Sequence, residues 1–162
     1  MCAQARPRRS AGILVYRQGA AGLEVLLVHP GGPFWARRNA GAWSVPKGEY
    51  DEGEQPLAAA RREFAEELGT AAPAGEPLDL GEVRLRSGKL IRAWAIEGDL
   101  DAERISSNTF QLEWPRGSGR MREFPEVDRA AWLDLGEARE LLHPGQVPLL
   151  ERLTGILDQS SR

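Results

Sequence analysis

The chain has 162 residues, 41% of them hydrophobic, which is enough for one substantial core and leaves little room for a second. A formal charge of −3 leaves no domain-wide basic excess to displace counterions, so broad electrostatic binding is disfavoured and no nucleic-acid partner is expected. The lone cysteine, Cys2, cannot form an intrachain disulfide and fits a reducing compartment. Residues 1–10 lack the apolar stretch of a secretory signal, and the longest apolar runs are far too short to span a bilayer, so the expectation is a cytoplasmic protein with no membrane partner. In chain order, residues 1–9 read as a flexible tail carrying Arg6, Arg8 and Arg9. Residues 10–17 and 23–29 are rich in β-branched and aliphatic side chains and flank Gly19-Ala20-Ala21-Gly22, which predicts a hairpin. A Gly/Pro-rich loop over 30–41 leads to a short strand at 43–48. The pattern then predicts a helix from Pro56 to Leu68, a second hairpin from strands 81–86 and 89–96 around Ser87-Gly88, a strand at 130–133, and helices at 135–142 and 147–157. A single domain over 10–158 with a short tail at 159–162 accounts for the chain.

The helix at 56–68 carries the strongest chemical signal. Pro56 suits a first helical position, because its missing N–H has no partner to lose there, and Gly69 suits the position just past the end. Glu63, Glu66 and Glu67 then stand at i, i+3 and i+4 on one face, beside an apolar stripe of Leu57, Ala60, Phe64 and Leu68. Three adjacent carboxylates weaken an isolated helix unless a cation neutralises them. Hard divalent cations such as Mg²⁺ take oxygen ligands and are commonly shared with substrate phosphates. Arg62 is placed to hold one of the acids through a forked hydrogen bond.

These residues complete a longer pattern. Gly48, Glu54, Arg62, Glu63, Glu66, Glu67 and Gly69 fall in register with the signature box of the Nudix hydrolases, with Phe64 as its apolar letter, and this part of the chain resembles that family. Thr70 departs from it, standing where the family carries an aliphatic residue, which puts packing beneath the helix end in doubt but removes no ligand. The resemblance implies a Nudix-like α/β/α sandwich around a mixed sheet, and an enzyme that splits the pyrophosphate link of a nucleoside diphosphate joined to a further group with Mg²⁺ or Mn²⁺. It implies Glu63, Glu66, Glu67 and the Lys47 carbonyl as metal ligands, Arg62 as orienter, and Gly48, Glu54 and Gly69 as support. For the general base the resemblance implies Glu63 or an acid from a distant loop. Glu113, Glu123 and Glu126 are the candidates there, and the resemblance favours Glu126, which stands shortly before the strand at Trp132-Leu133, where relatives place such a residue.

Substrate contacts lie outside the box. Trp35, in the long loop with Phe34, Arg37 and Arg38, is positioned to stack a nucleobase or to pack inward. Arg84 and Arg86 are expected on one strand face with Arg92 on the partner strand, and Arg116, Arg120 and Arg122 decorate the Gly117-Ser118-Gly119 loop; either set suits phosphate. Trp43, Trp94 and Trp132 are assigned to the core, and His29 and His143 to structural or capping roles. Relatives acting on sugar-linked ADP often carry a proline beyond the box, where Leu85 stands here. The Pro46-Lys47-Gly48 lead-in is similar to that of relatives cutting longer phosphate chains. A dinucleoside polyphosphate such as diadenosine tetraphosphate is therefore the expected substrate, with a nucleoside triphosphate pyrophosphohydrolase as the competitor and a non-catalytic nucleotide sensor as a third reading. A homodimer is left open. An isomerase of the same fold needs a cysteine within the domain, and Cys2 lies outside it.

Overall fold

A computed structural model describes residues 6–161. Eight strands and three helices form it: β1 (Arg9–Gly19), β2 (Gly22–Pro30), β3 (Lys47–Glu49), α1 (Pro56–Leu68), β4 (Leu78–Arg84), β5 (Leu90–Glu97), β6 (Thr109–Glu113), β7 (Met121–Pro125), β8 (Val127–Asp134), α2 (Leu135–Leu141) and α3 (Val147–Ser160). The main sheet runs β4-β5-β1-β2-β8, with β3 paired to β1. β1 and β5 are parallel from Arg9↔Leu90 to Tyr16↔Glu97, and the other pairings are antiparallel, so the sheet is mixed.

Strand alternation decides which helix covers which face. Ala11, Ile13 and Val15 of β1, with Trp94 and Ile96 of β5, pack against Ala59, Ala60, Phe64 and Leu68 of α1. The intervening residues Leu14 and Tyr16, with Ile91, Ala93 and Ala95, pack against Ala138 of α2 and Leu149, Leu150 and Leu153 of α3. The result is the expected three-layer α/β/α sandwich.

One feature of the sheet builds the site. The C-terminal half of β1 pairs with β2, through Tyr16↔Val25 to Gly19↔Gly22, whereas its N-terminal half pairs with β3. Residues 44–46 occupy the fork between the two strands: the Ile13 N–H donates to the Pro46 carbonyl at 3.1 Å, and Val28 and Ser44 exchange backbone bonds at 2.9 Å. The buried Gln146 closes the remaining gap, with its Oε1 accepting the Val45 N–H at 3.0 Å and its Nε2 donating to Ser44 Oγ at 3.0 Å. The lead-in to Lys47 is thereby fixed at the middle of the sheet.

Several expectations need correction. Residues 43–48 are not one strand; Trp43 and Ser44 make isolated bridges, and regular pairing starts at Lys47, because the segment crosses a fork instead of following an edge. Residues 8 and 9 belong to the sheet and not to a tail: β1 begins at Arg9, and the Arg8 carbonyl accepts the Leu90 N–H at 2.9 Å. At the other end α3 continues through Ser160. Residues 1–5, with Cys2, lie outside the described residues, as does Arg162. Trp43 and Trp94 are buried as expected, but Trp132 is half-covered, with its indole N–H donating to the Leu100 carbonyl at 3.0 Å and Arg17 stacked on its ring. The β6–β7 hairpin, a separate two-stranded sheet, had no counterpart in the expected elements.

Candidate active site

The helix that carries the acids has the bounds its end signals predict. Pro56 stands in the first turn, and Gly69 ends the helix in the left-handed conformation (φ 72°), its N–H donating to the Ala65 carbonyl at 2.8 Å. A Cβ at Gly69 would also sit 2.5 Å from the Ser106 carbonyl oxygen, so the position is closed to larger residues twice over. The last turn is held further by N–H groups of the following chain: Ser106 donates to the Leu68 carbonyl at 3.0 Å and Asn108 to the Glu66 carbonyl at 2.9 Å. Thr70 is exposed, so its departure from the family pattern leaves the packing beneath the helix intact, with Leu68 fully buried.

Arg62 organises one edge of the cluster. Its Nε and Nη2 make a fork to Glu54 at 2.8 and 3.0 Å, and its Nη1 reaches Glu63 Oε1 at 2.8 Å and Glu66 at 3.3 Å. The paired guanidinium holds the Glu54 carboxyl below the usual carboxylate range, and the carboxylates raise Arg62 in turn. Glu63 lies over the backbone of Gly48, where a Cβ would collide with the carboxylate, so the loop glycine is a requirement of space. Burial raises the Glu63 carboxyl, opposed by its bond to Arg62 and reinforced by the charges of Glu66 and Glu126.

Glu67 is the most enclosed acid. Its Oε2 accepts the Lys47 N–H at 3.2 Å. Its carboxyl is pushed up to about 8, first by burial and then by the like charges of Glu63 and Glu126, against the attraction of Lys47. Burial also lowers the Lys47 ammonium, assisted by Lys89. Beside these groups opens a cleft of about 380 Å³ lined by Pro30, Trp35, Lys47, Glu67, Phe110 and Glu126. Glu126 enters it from the kink between β7 and β8, where its own N–H donates to the Asn108 carbonyl at 2.8 Å and its carbonyl accepts the Gly31 N–H at 2.9 Å.

Of the three distant acids, only Glu126 lines the cleft. Glu113 accepts the Gly119 N–H at 3.0 Å and Glu123 bonds the Thr109 hydroxyl, both on the hairpin. Trp35 lines the cleft and Arg37 is exposed in the same loop. Arg116 lies 5.4 Å from the Phe34 ring on the adjoining wall. Arg84, Arg86 and Arg92 do not line this cleft. β4 ends at Arg84, which leaves Arg86 in a turn and off the shared strand face, and Arg92 pairs with Asp79 at 3.0 Å while stacking on Trp94. Phe110 was missed as a lining residue, although the alternation Phe110-Gln111-Leu112-Glu113-Trp114 before a glycine-rich turn is a strand signal. His29 is buried between Asp128 Oδ1 at 2.8 Å and the Arg38 carbonyl at 2.6 Å, and His143 Nδ1 accepts the Gly145 N–H at 3.0 Å. Both therefore have the structural roles expected of them.

The donors suit a hard divalent cation. They are carboxylate oxygens, and the shift of Glu67 reports negative charge gathered in a desolvated place. Among the described residues no three acidic, cysteine or histidine side chains already form a metal cage; Arg62 draws Glu63 and Glu66 to its own side.

The model of the NUDIX domain family matches residues 6–153. The chain belongs to the Nudix family. An RNA pyrophosphohydrolase of Rhodospirillum rubrum is 31% identical over 158 residues, covering 94% of this chain and 93% of that protein. Among solved structures, a C. elegans Ap4A hydrolase in a binary complex superposes with a TM-score of 0.67 at 20% identity, covering 93% of this chain and 98% of that one. The NUDIX domain of Shewanella oneidensis NrtR, complexed with ADP ribose, gives 0.63 at 18% identity, covering 94% and 90%. These two likenesses establish the fold. Together with the family match, the relative identifies this Nudix protein as a pyrophosphohydrolase acting on phosphoric anhydrides. Nudix enzymes generally use divalent metals. Among the described residues no helix is long and apolar enough to cross a membrane.

Proposed function

We propose that this Nudix enzyme hydrolyses a P–O–P bond within a phosphate chain attached to a nucleoside, with Mg²⁺ or Mn²⁺ held by Glu63, Glu66, Glu67 and the Lys47 carbonyl. The observation that carries the reading is the meeting, in one cleft, of the half-buried Glu67 from α1, Glu126 from the kink before β8 and the half-exposed ring of Trp35. A bound divalent cation supplies neutralisation of the phosphate oxygens and a lowered pKa for the attacking water. Glu126 accepts the proton of that water, because it alone of the distant acids faces the cleft. Arg62 orients Glu63 and Glu66, and Glu54 holds Arg62. Trp35 stacks the nucleobase, and Arg116 stands on the wall beside it. The location assigned to the enzyme is the cytoplasm, where nucleotide substrates abound.

Two substrate forms share this chemistry. The Pro46-Lys47-Gly48 lead-in favours a dinucleoside polyphosphate such as diadenosine tetraphosphate. The relative named RNA pyrophosphohydrolase, alike over nearly the whole chain, favours the 5′-polyphosphate end of an RNA. A panel of diadenosine tetraphosphate, 5′-triphosphorylated RNA and free nucleoside triphosphates, each with Mg²⁺ and with Mn²⁺, tests the proposal. Turnover of either of the first two above the free triphosphates is expected. A preference for free triphosphates supports nucleotide-pool cleansing instead, and binding without turnover of any of them supports a nucleotide sensor.

A further inference from the structure

The wall of the cleft formed by the Pro30–Gly41 loop and the β6–β7 hairpin has a composition unlike the rest of the surface. Among the described residues, the large apolar side chains that stand exposed are Phe34 at 48%, Trp35 at 37% and Met121 at 60%, and all three belong to this wall. Loop and hairpin make one unit. Phe34 meets Trp114 edge-on at 5.6 Å, and a Cβ on Gly32 would lie 2.9 Å from the Phe110 ring. Phe110 and Phe124 are cross-strand partners with centroids 6.0 Å apart. A two-stranded ribbon outside the main sheet has no core of its own, and aromatic residues left at its surface are not there to pack one.

The charge of the wall is also out of keeping with the molecule. The loop and hairpin hold five arginines (37, 38, 116, 120 and 122) against two glutamates, in a chain of net charge −3. Both glutamates, Glu113 and Glu123, are bonded within the hairpin. Three of the arginines lie over aromatic rings of the same wall: Arg38 at 5.6 Å from Trp35, Arg116 at 5.4 Å from Phe34 and Arg122 at 5.6 Å from Phe124. Aromatic faces interleaved with guanidinium groups form the surface on which unpaired bases stack while the backbone phosphates meet positive charge. A duplex end keeps its bases stacked on one another and has none to offer.

We infer that the substrate is a single-stranded oligonucleotide whose 5′-polyphosphate occupies the acidic cleft and whose following nucleotides lie along the loop and hairpin wall. This rests on the hydrolase reading above and narrows it from two substrate forms to one. The overall negative charge is no obstacle, since the footprint is a few nucleotides on a local basic surface.

The test uses 5′-triphosphorylated oligoribonucleotides of one to six residues, single-stranded or in a blunt duplex, with the wild type and the R120E/R122E variant. Turnover gives kcat/KM, and fluorescence anisotropy of end-labelled oligonucleotides gives affinity whether or not they are cleaved. For the wild type, kcat/KM and affinity should rise about tenfold or more from the mononucleotide to the tetranucleotide. The gain should decline with salt, be absent for the duplex and fall to about threefold or less in R120E/R122E. A wild type indifferent to length, an equal or larger gain on the duplex, or an undiminished gain in the variant overturns the inference. These results differ from failure of the hydrolase reading, in which no phosphoric anhydride of any length is turned over while the anisotropy series still reports on the wall.

Discussion

Gly48 and Glu67 show how single residues set the geometry and charge of the cleft. Because a Cβ at Gly48 would occupy the place of the Glu63 carboxylate, Gly48→Ala should push that acid aside while leaving the buried face of α1 untouched. Steady-state kinetics should register a loss of about 100-fold in kcat/KM, with an unchanged circular dichroism spectrum; wild-type activity would show that Glu63 need not stand there. Glu67 makes a prediction about pH. Its carboxyl rises from the ordinary 4.5 to about 8 on folding, so the folded protein binds a proton there that the unfolded chain has released. The stability from this group is complete below about pH 4.5 and is lost as pH climbs through about 8. Without metal, the melting temperature should therefore fall between pH 6 and pH 9, and Glu67→Gln should flatten that slope. An identical slope in the variant would mean that another group controls it. Added Mg²⁺ should stabilise the wild type more at pH 9 than at pH 6, since it binds the ionised acid.

At the scale of elements, the sequence was most readable where a local rule and the tertiary fold agree. Proline in the first turn and glycine past the last gave α1 its observed bounds, and the two hairpins around Ala20-Ala21 and Ser87-Gly88 follow from strand composition and turn residues. The lead-in at 43–48 was misread because a fork between strands has no local signature; its backbone bonds go to β1, β2, the Leu141 and His143 backbone and Gln146, none of them near in sequence. Gln146 is accordingly a structural polar residue that composition could not reveal. Gln146→Leu should leave the Val45 N–H and the Ser44 hydroxyl without this partner and cost about 1–3 kcal/mol in urea denaturation. A stability within a few tenths of a kcal/mol of the wild type would show that the fork holds without it. β6 and β7 went unread for a different reason. Their alternation is present, but the hairpin lies outside the main sheet and serves the cleft, so its facing apolar pair, Phe110 and Phe124, is only half-buried and the strands carry none of the fully buried residues of the core.

For the whole molecule, the box disclosed the chemistry and the fold positioned it. Glu54, Arg62, Glu63, Glu66 and Glu67 were legible because the box has a fixed spacing that runs from the loop before α1 into the helix, and the structure brings them together around the Arg62 fork and the Lys47 peptide. Glu126 was already favoured over Glu113 and Glu123 in the sequence, and the structure adds that, of these three, it alone lines the cleft, from the kink before β8. The arginines of β4 and β5 were misplaced because strand alternation gives a face but not the distance across the sheet to the site. The account as a whole is tested most directly by the hydrolysis of 5′-triphosphorylated RNA and diadenosine tetraphosphate with Mg²⁺, comparing the wild type with Glu67→Gln at pH 8.5. Turnover by the wild type and a fall of about 100- to 1,000-fold in kcat for the variant is the predicted result; a variant as fast as the wild type, or a wild type inert toward every phosphoric anhydride offered, would contradict it.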